Sequence, residues 1–319
     1  MTRAAAGLVV SAAVLAVPAW VTDPFTLRVL IVIAMYATLG TAWNILGGYA
    51  GQVSIGHSIF FGLGAYTSTL VFLRLGLNPW LGLIAGMVVG AAVAVLIGFP
   101  CFRLRGHYFV IATAVLAESI AVIFSGWEAV GSGLGLQLPI LPSSLAAFQF
   151  HESKAPYYYI ALGMLAVALA VAAVVERSKL GYCLKAIRED ETAAMSLAID
   201  IRRYKLIAIA ISGALSAMVG TFYAQFILFI DPPSVLPLSL SVLIALIPIF
   251  GGIGTLWGPV LGAAVLIPIS ELSRVHFSGS GRNVDLIIYG CLIMIMSAWR
   301  PMGLIGRAYR RAEPEGQRV

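Results

Sequence analysis

Apolar residues recur along the chain in runs of roughly 20, the length that crosses the hydrocarbon core of a bilayer as an α-helix. Short polar connections separate the runs, and the pattern predicts about ten transmembrane helices in one bundle. The predicted spans are residues 5–22, 28–47, 54–73, 80–100, 107–125, 157–175, 206–229, 235–250, 256–273 and 284–299. The pattern is that of an all-α, polytopic membrane protein, with one transmembrane domain over residues 1–319.

Glycine and proline interrupt this pattern around residues 47–56 and 248–258. Irregular backbone at membrane depth is stable only where protein or a water-filled cavity satisfies its polar groups, so both places are candidate elements of a solute path. The glycines concerned are Gly48, Gly251, Gly252 and Gly254. Both runs open with Gly-Gly, which hints at an internal repeat. Close helix packing through small residues is the alternative interpretation.

Polar side chains accompany the spans and extend the candidate path. Four of them lie beside the first glycine run: Asn44, Gln52, Ser54 and His57. They either bind a passing solute or tie two helices together, and the sequence favours neither. Glu118 lies inside the fifth span, where a carboxylate costs about 3 kcal/mol, so it must face protein or water. It either lines or gates the path or makes a structural hydrogen bond.

The composition places the chain in lipid. Hydrophobic residues make up 60% of the 319 residues, charged residues only 11%, and the mean hydropathy is +0.96. The net charge of +6 is spread over short connections, so it indicates membrane topology rather than nucleic-acid binding. The three cysteines lie far apart in the sequence and suggest neither a disulfide framework nor a metal site.

The distribution of basic residues predicts the orientation. With the N-terminus inside, fifteen of the twenty Lys and Arg residues fall on the cytoplasmic side. The positive-inside rule therefore places both termini in the cytoplasm and favours an even number of spans. The first twenty residues, with Arg3 ahead of an apolar stretch, also look like a secretory signal, but the charge distribution favours a retained first helix.

Two connections are longer than simple turns and face opposite sides in this topology. Residues 126–156 are poor in charge and predict an external loop, where a partner or a lid could sit. Residues 176–205 hold twelve of the thirty-four charged residues and predict a water-exposed cytoplasmic segment. Within it, Ile187, Ala194 and Leu197 recur at spacings that indicate a short amphipathic helix. A solvated loop is the alternative.

Four stretches of this sequence, in this order, resemble the permease subunits of branched-chain amino acid ABC importers. They are TAWNILGGYAGQVSIGHSIFFGLGAYTSTL at 41–70, RLRGHYFVIATAVLAE at 103–118, KLGYCLKAIREDETAAMSLAIDIRRYKLIAIAISG at 179–213 and PIFGGIGTLWGPVLGA at 248–263. The arrangement is most similar to the M-type permease of that family. One departure is visible, because Leu197 is followed by Ala198 where the family pattern usually has glycine.

The resemblance implies a multi-pass protein of the bacterial inner membrane that works with several partners. These are an H-type permease, two ATP-binding subunits, a periplasmic solute-binding protein and membrane lipid. The chain has no phosphate-binding G-x-x-x-x-G-K-[ST] loop, so ATP and Mg²⁺ are expected on the ATPase subunits and no cofactor on this chain. The implied cargo is a branched-chain or related amino acid, amide, urea or aromatic acid.

In such an importer the segment 186–201 would act as the coupling helix that receives movement from the ATPases. We expect Glu191, Ala194 and Ala198 at that contact, where small residues permit close approach. Arg188 and Asp200 are the candidate polar partners.

Two other functional classes compete with this interpretation. A secondary, ion-coupled transporter of small polar solutes would also show broken helices and buried carboxylates, but it needs no charged cytoplasmic helix. A membrane enzyme is disfavoured, because the four histidines show no pairing with Cys or carboxylates at ligand or catalytic spacing.

Overall fold

The computed structural model describes residues 23–104, 106–151, 153–277 and 303–305, with the single residues Pro18, Gly290 and Met294. The predicted spans 5–22 and 284–299 lie, apart from single residues, outside the described part of the chain.

Helices dominate the described residues. They are α1 (Pro24–Asn44), extended by a π-helical turn (Ile45–Tyr49), α2 (His57–Leu75), α3 (Pro79–Cys101), α4 (His107–Gly126), α5 (Ala155–Arg177), α6 (Lys179–Glu189), α7 (Glu191–Ser196), α8 (Ile201–Ile227), α9 (Pro232–Val235), α10 (Leu238–Gly251) and α11 (Gly258–Phe277). Two short strands, β1 (Leu136–Gln137) and β2 (Phe229–Ile230), pair antiparallel.

Within the described residues, seven helices are long and apolar enough to cross a membrane, and Gly258–Ser273 is a shorter apolar helix. The predicted class, an all-α membrane protein, is therefore confirmed. The boundaries follow local chemistry. At the start of α1, the Asp23 carboxylate accepts hydrogen bonds from the Thr26 hydroxyl (2.6 Å) and amide (2.9 Å), which lower the pKa of Asp23 below its ordinary value.

Small residues hold the bundle together around α8. The buried positions in the interior of α3 recur every fourth residue and are all small: Gly82, Gly86, Gly90, Ala94 and Gly98. The first four pack against small residues of α2 and α8, and Gly98 packs against Ile209 of α8. A membrane offers little hydrophobic driving force between helices, so close backbone approach and van der Waals contact supply the stability.

Gly90 gives a direct test of this packing. A Cβ there would lie 2.5 Å from Ala217 Cβ and 2.9 Å from Gly213 O, so Gly90→Leu forces α3 away from α8. We expect a loss of about 3 kcal/mol, measured as a lower melting temperature of the purified protein in detergent. Gly163→Leu is the matched control, because a Cβ at Gly163 meets nothing within 4 Å. Equal melting of both variants would contradict the packing model.

The predicted external loop is folded onto the end of the bundle. Phe148 is fully buried and stacks on Trp80 with 4.5 Å between ring centroids. Gln149 is also buried, and its side chain donates to Pro139 O and accepts from Leu141 N. The β1–β2 pair joins the loop to the chain that follows α8.

Candidate functional site

The charged segment 176–205 forms two short helices rather than one. The prediction of a single helix over 186–201 is wrong, because α6 ends at Glu189 and α7 begins at Glu191. Asp190 separates them, and its Oδ1 accepts hydrogen bonds from the amides of Thr192 (2.7 Å) and Ala193 (3.1 Å). Aspartate is a strong N-cap and a poor residue within a helix, so the chain restarts here.

The turn that ends α7 contains Ala198, the residue at which the sequence departs from the family resemblance. Ala198 has φ +57°, the left-handed conformation that glycine adopts most easily. The family's usual glycine therefore fits a helix-ending turn at this position, and Ala198 adopts the same conformation with a Cβ. The chain then enters α8, where the Asp200 carboxylate accepts a hydrogen bond from the Arg203 amide (3.1 Å).

The residues expected at the ATPase contact differ in their exposure to solvent. Ala194 is only 1% exposed, so its side chain packs inside the protein and offers no contact surface. Met195 is 50% and Leu197 72% exposed, and Ala193 and Ala198 are exposed as well. We call Ala193, Met195, Leu197 and Ala198 the apolar docking surface. The sequence spacing predicts Ala194 and Leu197 on one side of a helix, but α7 ends at Ser196, and Leu197 in the turn that follows is exposed while Ala194 is buried.

Glu191 is engaged inside the chain. Its Oε1 accepts from Lys205 Nζ at 2.5 Å and lies 3.4 Å from Gln52 Nε2. The Lys205 side chain is only 3% exposed, whereas that of Glu191 is 34% exposed. The carboxylate therefore compensates a buried ammonium, and it connects α7 with α8 and with the chain after α1.

This ion pair gives a second testable prediction. Glu191→Gln leaves the buried ammonium of Lys205 without its counter-charge and should lower stability by about 2 kcal/mol, seen in detergent melting. Lys205→Met in the same chain should restore most of the loss, because it removes the charge that needs compensation. Additive effects of the two changes in a double-mutant cycle would contradict the pair's role.

Arg188 connects residues 186–201, which we call the coupling segment, to the first glycine run. Its Nη1 donates to Gly48 O at 2.7 Å, and its side-chain carbons lie against Gly51. On the same helix, Lys185 Nζ lies 5.9 Å from the ring centroid of Tyr49 in the π-helical turn. The predicted coupling residues and the predicted path residues are therefore in direct contact.

The two glycine runs meet each other beside Arg188. Asn44 joins them, donating from Nδ2 to Thr255 O (2.9 Å) and accepting at Oδ1 from Gly254 N (2.8 Å). A Cβ on Gly48 would overlap Asn44 Oδ1 and approach Gly254 N to 2.8 Å, so only glycine fits there. We call Asn44, residues 47–51 and residues 251–255 the glycine junction.

The second run shows why its glycines are needed. Gly252 has φ +137° and Gly254 has φ +76°, both in regions that favour glycine. Gly251 packs so closely on Gly258 that a side chain would collide with its backbone. Gly251, Gly252 and Thr255 are buried, and Ile253 and Gly254 are partly buried, so surrounding protein covers most of this irregular backbone.

The remaining polar residues of the first run bind neighbouring helices. His57 is fully buried, and its Nε2 lies 2.8 Å from Ser212 Oγ, which donates to Ala42 O. Ser54 is buried, and its carbonyl accepts from Trp43 Nε1 (2.7 Å). His57 therefore connects α2 with α8, and Ser54 connects the chain before α2 with α1. Gln52 is partly exposed and reaches Glu191.

Helix α4 is attached to the same region. The amide of Ile55 donates to Thr113 Oγ1 at 3.1 Å. One and a half turns further along α4, Glu118 is exposed on the surface of the chain. Within the described residues, the Glu118 carboxylate makes no hydrogen bond or ion pair, so a structural bond inside this part of the chain does not explain it.

Sequence reasoning missed three residues of this arrangement: Lys205, Thr113 and Thr255. Lys205 lies at the start of an apolar span, and a lysine at such a position does indicate a buried charge that needs a partner. Thr113 and Thr255 lie among apolar neighbours and carry no comparable signal.

These features define a polytopic membrane permease in which the charged segment 176–205 contacts irregular backbone between the spans. A family model described as "Branched-chain amino acid transport system / permease component" matches residues 25–297. The chain belongs to this family, and it is a permease subunit of an ABC importer. No solved structure matches the chain.

Relatives agree with this assignment. The high-affinity branched-chain amino acid transport system permease protein LivM of Escherichia coli is 29% identical over 303 residues, covering 85% of this chain and 68% of the relative. LivM of Salmonella typhimurium is 30% identical over 295 residues with the same coverage. The nucleoside ABC transporter permease protein NupC of Lactococcus lactis is 24% identical over 211 residues, 60% of this chain and 64% of the relative.

Proposed function

We propose that this chain imports branched-chain or related amino acids across the bacterial cytoplasmic membrane, using movement received from ATP-hydrolysing subunits. The observation that carries the proposal is the contact between the coupling segment and the glycine junction, made by Arg188 and Gly48 at 2.7 Å. A rigid helix docked on a partner can shift irregular backbone through such a contact, since that backbone lacks a regular helical ladder to resist it.

The orientation follows from the charges. The coupling segment, the glycine junction and both termini face the cytoplasm, because fifteen of the twenty basic residues then lie inside. Two ATP-binding subunits, which hold the ATP and Mg²⁺, contact the apolar docking surface on this side. A periplasmic solute-binding protein delivers the cargo at the opposite end, where the loop over 126–156 packs on the bundle.

A second, H-type permease covers α4 and completes the path. Exposed side chains on α4 include Ile111, Val115 and Val122, and Glu118 stands among them at mid-span. A carboxylate at this depth is stable beside water or protein and not beside acyl chains. The path therefore runs along this face, and the bond between Ile55 and Thr113 places α4 within reach of the coupling movement.

Glu118 is accordingly sensitive to substitution. Glu118→Ala should lower ATP-driven uptake about tenfold, equivalent to ~1.4 kcal/mol at the rate-limiting state, while the partner subunits still copurify. Glu128→Ala is the control, since Glu128 is also exposed but lies in the turn just beyond the end of α4. Undiminished uptake by Glu118→Ala would show that Glu118 on α4 does not line the solute path.

The function itself is tested by uptake in proteoliposomes that contain the permease with its copurifying chains and the solute-binding protein. Uptake of radiolabelled leucine should require ATP on the side of the coupling segment and persist after proton and sodium ionophores. Unlabelled isoleucine and valine should compete, while urea and a nucleoside should not. Uptake that ignores ATP and collapses with an ionophore would establish a secondary transporter instead, and competition by the nucleoside alone would change the substrate class.

A further inference from the structure

The outward face of α3 differs from that of α4. Its exposed side chains are all apolar, and they include Ile84, Val88, Leu96 and Phe99. Its inward positions are the small residues that pack on α2 and α8. A helix with small residues on its inward side and apolar side chains on its outward side can pack against protein on one side and against lipid acyl chains on the other.

A groove lies at the end of this apolar face, between α3 and the start of α8. The cavity measures about 450 Å³. Its apolar wall is formed by Val95, Leu206 and Ile207, and its polar wall by Asp200, Arg202 and Arg203. The groove is therefore apolar towards the membrane and basic at the end of the bundle that carries the coupling segment.

Arginine side chains are held in place at the basic end. The Arg202 guanidinium carbon lies 3.6 Å from the centroid of the Phe99 ring, and its Nη2 lies 3.4 Å from Phe99 O. The Arg103 guanidinium carbon lies 6.0 Å from the same ring. Arg103 and Arg202 thus surround one aromatic ring, and Arg203 lines the groove beside them.

The local charge remains positive. Asp200 is the acidic residue of the groove wall, and its carboxylate accepts the hydrogen bond of the Arg203 amide at the beginning of α8. Three arginines therefore stand against one carboxylate that is engaged in capping. Arginine forms paired hydrogen bonds with phosphate oxygens, and basic clusters at a membrane surface attract anionic headgroups.

We propose that this groove binds an anionic phospholipid, with the headgroup phosphate at Arg202 and Arg203 and an acyl chain along Val95 and Ile207. The apolar wall continues into the lipid-facing surface of α3, which a soluble phosphate ion would not use. Asp200 joins the groove to the end of the apolar docking surface, so the bound lipid fixes the start of α8 next to the coupling segment. The sequence suggests Asp200 as a candidate polar partner at the ATPase contact, and the groove gives it a second setting.

The test is native mass spectrometry of the complex with its copurifying chains, delipidated and titrated with phosphatidylglycerol, phosphatidylcholine or inorganic phosphate. We expect phosphatidylglycerol adducts that survive where phosphatidylcholine is lost. Arg202→Gln together with Arg203→Gln should weaken the phosphatidylglycerol adduct roughly tenfold or more. Arg177→Gln together with Lys179→Gln is the control, since both are exposed basic residues at the same end, on α5 and α6.

Three outcomes would overturn the proposal. Equal losses in the two double variants would mean unspecific attraction to the basic end of the protein. Displacement of phosphatidylglycerol by millimolar inorganic phosphate would identify a site for a soluble anion. Loss of the ATPase subunits from Arg202→Gln/Arg203→Gln with unchanged lipid adducts would assign the groove to the subunit contact. None of these results depends on the identity of the transported solute.

Discussion

Leu197→Asp should abolish ATP-driven uptake while leaving the permease folded in the membrane. The Leu197 side chain is 72% exposed at the end of α7, so a charge there disturbs no internal packing. It is the most exposed large apolar side chain of the apolar docking surface. A few central side chains carry most of the binding energy of an interface, about 2 kcal/mol or more each, and we expect Leu197 to be one of them, so association with the ATPase subunits should weaken by about thirtyfold.

The measurement is copurification of the ATPase subunits, followed by uptake in proteoliposomes. Leu134→Asp is the matched control, because Leu134 is 89% exposed in the loop at the opposite end of the bundle. It should retain the ATPase subunits. If Leu197→Asp still copurifies with them at full stoichiometry, the docking surface lies elsewhere.

Arg188→Ala should separate ATP hydrolysis from transport. The substitution removes the charged hydrogen bond to Gly48 O and leaves the apolar docking surface intact. Hydrogen bonds to charged groups contribute about 1.5–3 kcal/mol, so uptake should fall tenfold or more. The ATPase subunits should still bind and hydrolyse ATP, which distinguishes this variant from Leu197→Asp.

Two variants control for this effect. Lys179→Ala removes a cation at the exposed start of the same helix α6 and should transport normally. Arg188→Lys keeps the charge but loses the planar donor group, so it should restore only part of the uptake. Wild-type uptake by Arg188→Ala would mean that coupling bypasses the glycine junction.

The spans were predictable from the sequence because their signal is additive over many residues. Each of the helices α1 to α5 begins and ends within about four residues of its predicted span. A long run of apolar side chains is stable only inside the hydrocarbon core, so the ends of the run mark the ends of the helix. The break at Asp190 was not predicted, because the amphipathic spacing and the capping preference of aspartate compete over a few residues. Local capping prevailed there.

The sequence was sufficient to identify the residues of the candidate site but not the contacts between them. The glycine runs and Arg188 were identified from the sequence, because glycine clusters and charges are unusual beside membrane spans. Their meeting depends on the packing of α1, α10 and α6, which lie far apart in the chain. The pairing of Glu191 with Lys205 likewise depends on how α7 returns to α8.

Hydrogen exchange at residues 47–57 in the assembled complex tests the coupling claim most directly. ATP binding to a hydrolysis-deficient complex should change the exchange rate of these amides severalfold in the wild type, because the coupling segment moves the glycine junction. The same change should be absent in Arg188→Ala, although nucleotide still binds. Identical nucleotide-dependent exchange in the wild type and in Arg188→Ala, or none in either, would contradict the account.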